Sequence, residues 1–411
     1  MLHVVARYGD EVAGGAESAC RATCEHLVER GHEVEVFTSC ATSHLGWADV
    51  YPPGRSVLRG VTVHRRGARQ LRDPQRFYAL SQRVLATWVA PPYHLQHRFI
   101  YEQGPVIDGL EHWLRGSGPR FDAAVFHTYL YAPTLFGLPT LAGRLPTLVH
   151  PSAHDEPPFW LPILDQLLPL ADGVMFHTPE EESLYRKRFP RLRAATAVVG
   201  LGIDQDSTEN DIDGFRRRYG LGDDPYLVVL GRVDVQKGTP EAIAYVQTYR
   251  ERRSSRVRLV VMGEHGGEPD TGGGVVFTGF VDEATKGTAL AGAVALIAPS
   301  YFESFSLAAA EAWSHGTPVL AQGSSDVLAG QLRRSSGGLA YAGYAAFEAC
   351  LEGMLDRPDL RHRMGAAGRR YVDANYRWPV VLDRYEDLVR RTVARASASS
   401  RASSNTAPHP T

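Results

Sequence analysis

Lysine is nearly absent from this chain of 411 residues: Lys187, Lys237 and Lys286 are the only ones, and arginine carries the rest of the positive charge. A GC-rich bacterial coding sequence produces such a bias, so the bias itself says nothing about function. Cysteine is scarce too. Cys20, Cys24, Cys40 and Cys350 include no CxxC pair, which fits a reducing cytoplasm. Cys20 and Cys24 fall one helical turn apart and Cys40 ends an apolar run, a spacing that permits a three-thiolate site. Small buried cysteines are ordinary core residues, however, and no metal is expected. No segment reaches 18 uninterrupted apolar residues, and no N-terminal stretch joins a basic head to an apolar core and a cleavage site. Neither a membrane-spanning helix nor a secretory signal is therefore expected. A formal charge of -2 and a pI near 6.8 give the whole chain no electrostatic reason to coat nucleic acid or an acidic membrane, although a local basic patch stays open.

What is present is ordinary globular material. Hydrophobic residues make up 44% and charged residues 22%, which excludes disorder of the whole chain. The length exceeds one ordinary core, so two domains are expected. Short apolar runs alternate with helical periodicity, the signature of strands and helices over a mostly parallel sheet. The first unit reads as a strand over 2–7, a glycine turn at Gly14-Gly15, a helix over 16–30 and a strand over 33–38. Further strands are expected at 123–127, 147–150, 173–177 and 197–199. Residues 45–120 give a weak pattern, rich in Trp, Tyr, His and Arg, with Pro74, Pro91-Pro92 and Pro105 set to interrupt any long helix.

Residues 200–222 mix glycines with Asp204, Asp206, Glu209, Asp211 and Asp213 and carry no dominant apolar period, which marks a boundary. The alternation then restarts, with strands expected at 226–230, 257–262, 275–278, 295–299 and 318–321. The expected organisation is a domain over 1–200, a second over 201–365, terminal helices over 366–393 that pack across domains, and a disordered tail over 394–411.

Chemistry concentrates in the second half. An apolar strand, Leu227 to Leu230, feeds Gly231-Arg232, and the following loop reaches Lys237-Gly238. A glycine there permits close approach of a ligand, Arg232 can pair bidentately with phosphate oxygens, and Lys237 offers a mobile point charge. That suits a diphosphate, although an ordinary strand-to-helix turn with solvated cations would read the same way. In the run from Ala298 to Ala312, a buried strand ends and a helix begins near Ser304–Leu307, where free amides favour an anionic ligand. Glu303 precedes that helix and Glu311 lies inside it. Carboxylates at those places can accept hydrogen bonds from a sugar and a ribose respectively; without a ligand they are a capping residue and a solvated one.

Together these segments resemble the large retaining glycosyltransferase family 4. The marks are Gly14-Gly15-Ala16-Glu17, Gly231-Arg232 with Lys237-Gly238, the pair Glu303 and Glu311, and Gly316-Thr317-Pro318-Val319. The resemblance covers residues 1–390, most strongly 225–320. It implies a GT-B fold of two Rossmann-like domains facing an interdomain cleft, with C-terminal helices returning toward the N-terminal domain. It also implies a nucleotide-diphosphate sugar as co-substrate, UDP- or GDP-linked, with no cofactor. Arg232 and Lys237 would hold the diphosphate, Glu303 the transferred sugar and Glu311 the ribose. Gly14, Gly15, Gly231, Gly263, Phe280, Ser304, Phe305, Ser306 and Leu307 would complete the donor site. The chain departs from common family usage at Gly263-Glu264-His265, Glu303-Ser304-Phe305-Ser306 and Ser324-Ser325-Asp326-Val327, so sugar and base are not carried over.

Gly14-Gly15 lacks the Gly-x-Gly-x-x-Gly spacing of a dinucleotide site, which argues against an oxidoreductase. His127 ends a predicted strand and resembles the N-domain histidine that family members place beside the reacting sugar; a hydrogen-bonded core histidine is the alternative. His150, His154 and Asp155 lie at another strand end and read as an acceptor-side loop rather than a zinc site. The expected activity is retaining transfer, hexosyltransferase-like, to a hydroxyl of a small natural-product or cell-envelope precursor. The expected partner is a small sugar acceptor, with no nucleic acid and at most peripheral membrane contact; the mixed charges and prolines of residues 45–120 favour an acceptor wall there over a membrane contact. A nucleotide-sugar epimerase, a phosphorylase or a non-catalytic sugar-nucleotide binder are the rival readings.

Overall fold

The computed structural model describes residues 1–12, 14–86, 90–204, 211–231, 233–263 and 274–404. The chain divides into two units, Met1–Gly202 with Val381–Thr411, and Ile203–Val380.

The first unit begins with β1 (Leu2–Val4), α1 (Gly15–Glu29), β2 (Glu35–Ser39), β3 (Gly54–Leu58) and β4 (Val61–Arg66). Three helices follow, α2 (Pro74–Leu85), α3 (Tyr93–Gln103) and α4 (Leu110–Ser117). Then come β5 (Ala124–His127), α5 (Ala132–Leu141), β6 (Thr147–His150), α6 (Leu164–Leu167), β7 (Gly173–Phe176), α7 (Pro179–Arg188) and β8 (Ala195–Val198). The sheet order is β3-β4-β2-β1-β5-β6-β7-β8, parallel throughout except for the β3/β4 pair. Helices cover such a sheet on both faces, which is why β5, β6 and β7 are buried at every residue. Their side chains join Phe37, Phe159 and Tyr185 in one core, where a fully buried Leu or Phe contributes about 1.5–3 kcal/mol.

Residues 45–120 hold more order than their composition announces. β3 and β4 form a hairpin turned by Arg59 and Gly60, both at positive φ (47° and 82°), as a two-residue primed turn requires. The prolines there bound helices instead of breaking them. α2 starts at Pro74 with the Asp73 carboxylate accepting from the Gln75 and Arg76 amides at 2.9 and 3.0 Å, and α3 starts directly after Pro92.

The second unit contains α8 (Ile212–Arg218), β9 (Tyr226–Leu230), α9 (Thr239–Arg253), β10 (Arg258–Met262), β11 (Val275–Gly279), α10 (Glu283–Ala291) and β12 (Ala295–Ala298). It continues through α11 (Leu307–Ser314), β13 (Val319–Gln322), α12 (Asp326–Ser335), β14 (Gly338–Tyr341), α13 (Tyr344–Asp356) and α14 (Pro358–Asn375). Its six strands run β11-β10-β9-β12-β13-β14, all parallel. Leu227, Val229, Leu259, Val261, Ile297 and Leu320 pack against Phe347, Leu351 and Met354 in its core.

The last helix, α15 (Trp378–Ser404), starts in the second unit and joins the first from Val381 onward. Arg30 pairs there with Asp383 at 2.8 Å and Glu386 at 3.2 Å, so the return of C-terminal helical material to the N-terminal unit is seen directly. α15 continues through Ser404, past residue 394, where composition alone places a disordered tail; of that tail, residues 405–411 lie outside the described residues. No helix among the described residues is long and apolar enough to cross a membrane.

Candidate functional site

In a parallel sheet whose strand order reverses, ligands bind beyond the carboxyl ends of the two strands at the reversal. In the second unit those strands are β9 and β12, and the loops leaving them are 231–238 and 299–306. The two segments singled out from sequence therefore meet at the switch point.

The first loop is held tightly. The Gly231 amide donates to the Met262 carbonyl at 2.9 Å, and the Lys237 amide donates to the Asp234 carboxylate at 2.8 Å. Gly238 caps α9 at φ 70°, and a Cβ on it would collide with the Pro299 carbonyl oxygen at the end of β12. Gly263, at φ 143° after β10, has the same relation to the Gly231 carbonyl, so a side chain at either glycine would force two strand ends apart. Lys237 Nζ lies 3.1 Å from Oε1 of Glu303. Arg232 lies outside the described residues, as do Glu264 and His265.

In the second loop Ser304, Phe305 and Ser306 are buried, and the Phe305 ring stands edge-on to Tyr376 with centroids 4.9 Å apart. Ser306 caps α11 in a left-handed conformation, φ 71°, which costs a residue bearing a Cβ. Leu307 opens α11, whose first amides have no intrahelical acceptor. Glu311, one turn further, accepts a hydrogen bond from Lys286 Nζ at 2.8 Å, and Lys286 also reaches Glu283 at 2.7 Å. Burial raises the pKa of the Glu311 carboxyl, and the Lys286 charge opposes that rise. Burial works against the Lys286 ammonium, but Glu311 and Glu283 outweigh it and raise its pKa. Phe280, just beyond β11, is exposed.

In the first unit the strand order reverses between β1 and β5. Gly14 and Gly15 open α1 in the connection that leaves β1, and Glu17 is consumed by a buried pair with Arg7 at 2.6 Å. His127 ends β5, in register with His150 on β6. Four imidazoles form a row across the sheet: His3 to His127 with ring centroids 5.3 Å apart, His127 to His150 5.9 Å, and His150 to His177 4.1 Å. Burial, reinforced by the charges of His3 and His150, holds His127 well below the usual imidazole range, and burial takes His150 down to about 3.

His154 and Asp155 do not join that row. His154 lies 3.4 Å from Glu156, and Asp155 accepts from the Trp160 indole at 2.7 Å. Their loop is anchored by a residue that sequence reasoning missed, Glu181, whose buried carboxylate accepts from the Ala153 and His177 amides at 2.6 and 2.7 Å. Burial pushes its pKa up to about 8 against the pull of those amides. Lys286 was missed as well. Its signal was rarity, for two of the chain's three lysines contact the two predicted glutamates.

Two α/β units, each with a largely parallel Rossmann-like sheet, give the chain the GT-B fold. Residues 211–371 match the family model described as glycosyl transferases group 1, and with the relatives below this match supports a GT-B glycosyltransferase of the family 4 type. It is 27% identical over 419 residues to a D-inositol 3-phosphate glycosyltransferase of Xylanimonas cellulosilytica, covering 93% of this chain and 94% of that one. It is 28% identical over 279 residues to a GDP-mannose-dependent alpha-(1-6)-phosphatidylinositol monomannoside mannosyltransferase of Mycobacterium tuberculosis, covering 61% and 71%. The fold matches a sucrose-phosphate synthase from Thermosynechococcus elongatus with a TM-score of 0.70 at 19% identity, covering 96% and 99%.

Proposed function

We propose that the protein transfers a sugar from a nucleotide-diphosphate sugar to a hydroxyl acceptor with retention at the anomeric carbon. The observation that carries this reading is the pairing, beside the β9/β12 switch point, of Lys237 with Glu303 and Lys286 with Glu311. Lys237, together with Arg232, neutralises the diphosphate as it departs, while the α11 amides add fixed dipoles. Glu303 accepts from hydroxyls of the transferred sugar and Glu311 from those of the ribose. His127 orients a hydroxyl at the reacting sugar, and the loop bearing His150, His154 and Asp155 borders the acceptor.

In the step itself the bond from the anomeric carbon to the phosphate oxygen breaks and a bond to the acceptor oxygen forms on the same face. The acceptor proton passes to the leaving phosphate oxygen, so no enzyme nucleophile is needed. UDP- and GDP-sugars are the first donors to test, in the cytoplasm of a bacterium. The names of the curated relatives make an inositol phosphate the first acceptor, within the broader class of small hydroxylated natural products and envelope precursors.

Mass-spectrometric screening of UDP-, GDP-, ADP- and dTDP-sugars, followed by proton NMR of the product, tests the reading. An axial donor sugar should give an axial product. An inverted anomer overturns retention, and release of an epimerised sugar without an acceptor overturns transfer.

A further inference from the structure

His3 lies at the centre of β1 and is fully buried, yet its Nε2 has no hydrogen-bond partner. Its Nδ1 faces Nε2 of His127 at 3.0 Å. The Tyr385 ring stacks beside it with centroids 6.3 Å apart, and the Tyr385 hydroxyl is buried and equally without a partner. Each such orphan costs about 1–3 kcal/mol in a protein interior, so two in one place call for an occupant.

Two thiols share this space. Cys20 and Cys24 are buried on one face of α1, a single turn apart, and both are free. The ligand atoms of His3, Cys20 and His127 all lie within 4.8 Å of one another. The Cys24 thiol interacts with both His3 and Cys20. Tetrahedral zinc, with Zn–N of about 2.0 Å and Zn–S of about 2.3 Å, separates its ligand atoms by roughly 3.3–3.8 Å. Cys24 falls outside that group, so its thiol must turn inward to supply the fourth ligand, while the His3 and His127 nitrogens, 3.0 Å apart, must separate slightly.

The chemistry of the set is selective. It offers nitrogen and sulfur and no oxygen, which disfavours magnesium and calcium and suits zinc. Two thiolates also cancel the charge of a divalent ion, so the assembled centre enters the low-dielectric core without net charge.

We propose that His3, Cys20, Cys24 and His127 form a buried site for one zinc ion, a tetrahedral centre that ties α1 to β1 and β5. On binding, each thiol releases its proton to solvent and the four lone pairs fill the metal's coordination sphere. The site shares His127 with the proposed transfer reading, since a metal on its Nε2 leaves only its Nδ1 for a sugar hydroxyl, but it is separate from the donor-binding residues of the second unit, and its readouts below do not depend on transfer activity.

The test uses the full chain, expressed with added zinc and purified without chelator. Elemental analysis should find about one zinc per chain, as a four-ligand centre requires. Exchange for cobalt(II) should give the thiolate charge-transfer and intense visible bands of a tetrahedral sulfur-ligated centre. Cys20→Ala should abolish those bands, whereas Cys350→Ala should retain them. Chelation should lower the melting temperature of the wild-type chain, which keeps the proposal testable if Cys20→Ala fails to fold. Substoichiometric zinc in wild-type protein that also gains no cobalt–thiolate bands would overturn the site and leave ordered water as the occupant. Bands that survive in a folded Cys20→Ala chain would overturn the assignment of its ligands.

Discussion

Lys286 Nζ lies 2.8 Å from Oε1 of Glu311, joining α10 to α11 across 25 residues of sequence. This contact fixes one oxygen of the carboxylate proposed to hold the ribose and leaves the other to receive hydroxyls. Lys286→Met should therefore weaken nucleotide binding about ten-fold or more, since a hydrogen bond to a charged group is worth roughly 1.5–3 kcal/mol. The loss should deepen at acidic pH. Burial already raises the Glu311 pKa, and without the ammonium it rises further, so a larger fraction of Glu311 is protonated as pH falls. Calorimetric titration of UDP and GDP at several pH values checks this. If Glu311→Gln weakens binding while Lys286→Met does not, the positioning role of Lys286 fails; if neither variant matters, the ribose assignment fails.

Lys237 is half-exposed, and its ion pair with Glu303 adds little to stability, about 0–1 kcal/mol for such a pair. Its proposed work is in the transition state. Lys237→Ala should cut kcat by a factor on the order of 100–1000, comparable to removal of one preorganised charge-stabilising donor, and leave thermal unfolding nearly unchanged. Steady-state kinetics with calorimetry separate the two quantities, and unchanged turnover would remove Lys237 from the mechanism.

Ser306 adopts φ 71° where glycine would be unstrained. Ser306→Gly should relieve a penalty of about 1 kcal/mol and raise the melting temperature. A lowered melting temperature would mean that the buried hydroxyl contributes more than the backbone strain costs.

Glu181 gives the first unit a particular pH dependence. Burial holds its carboxyl protonated to about pH 8 in the folded chain, whereas the unfolded chain releases that proton near 4.5, as an ordinary glutamate does. The folded state binds more protons between those values, so this group's stabilisation is full below about pH 4.5 and is lost as pH rises through about 8. Glu181→Gln should flatten that slope. It should also lower stability at pH 5, because a carboxamide turns an N–H toward one of the two backbone amides. Urea unfolding at pH 5 and pH 8 compares the slopes, and equal slopes would show that Glu181 is ionised throughout.

Much of the second unit was legible because its signals are local. Tyr226–Leu230 reads as a strand from five consecutive apolar or aromatic residues, and the structure gives the same limits. The expected strand at 257–262 differs by one residue at its start. β3 was hidden because an exposed edge strand has no apolar face to alternate, and its real signal was the Arg59-Gly60 turn. β14 was missed for a related reason: four residues, Gly338–Tyr341, at a sheet edge are too short to show a period. The prolines of residues 74–105 were read as interruptions, whereas Pro74 supplies the first position of a helix, which asks for no amide hydrogen.

The sequence by itself determined the alternation of strands and helices, the glycine turns after the strands and the presence of Lys237, Glu303 and Glu311 in the right kinds of segment. These depend on a few neighbouring residues and on periods of two or 3.6, which a linear pattern preserves. Tertiary structure alone decided that β9 lies beside β12, that Lys237 meets Glu303 66 residues away, and that Lys286 is the partner of Glu311. It also decided that His3 meets His127 across 124 residues, beside Cys20. Parallel pairing joins strands through long crossovers, so the order of strands, and with it every contact at their ends, follows from which apolar faces pack together and leaves no periodic trace in the chain.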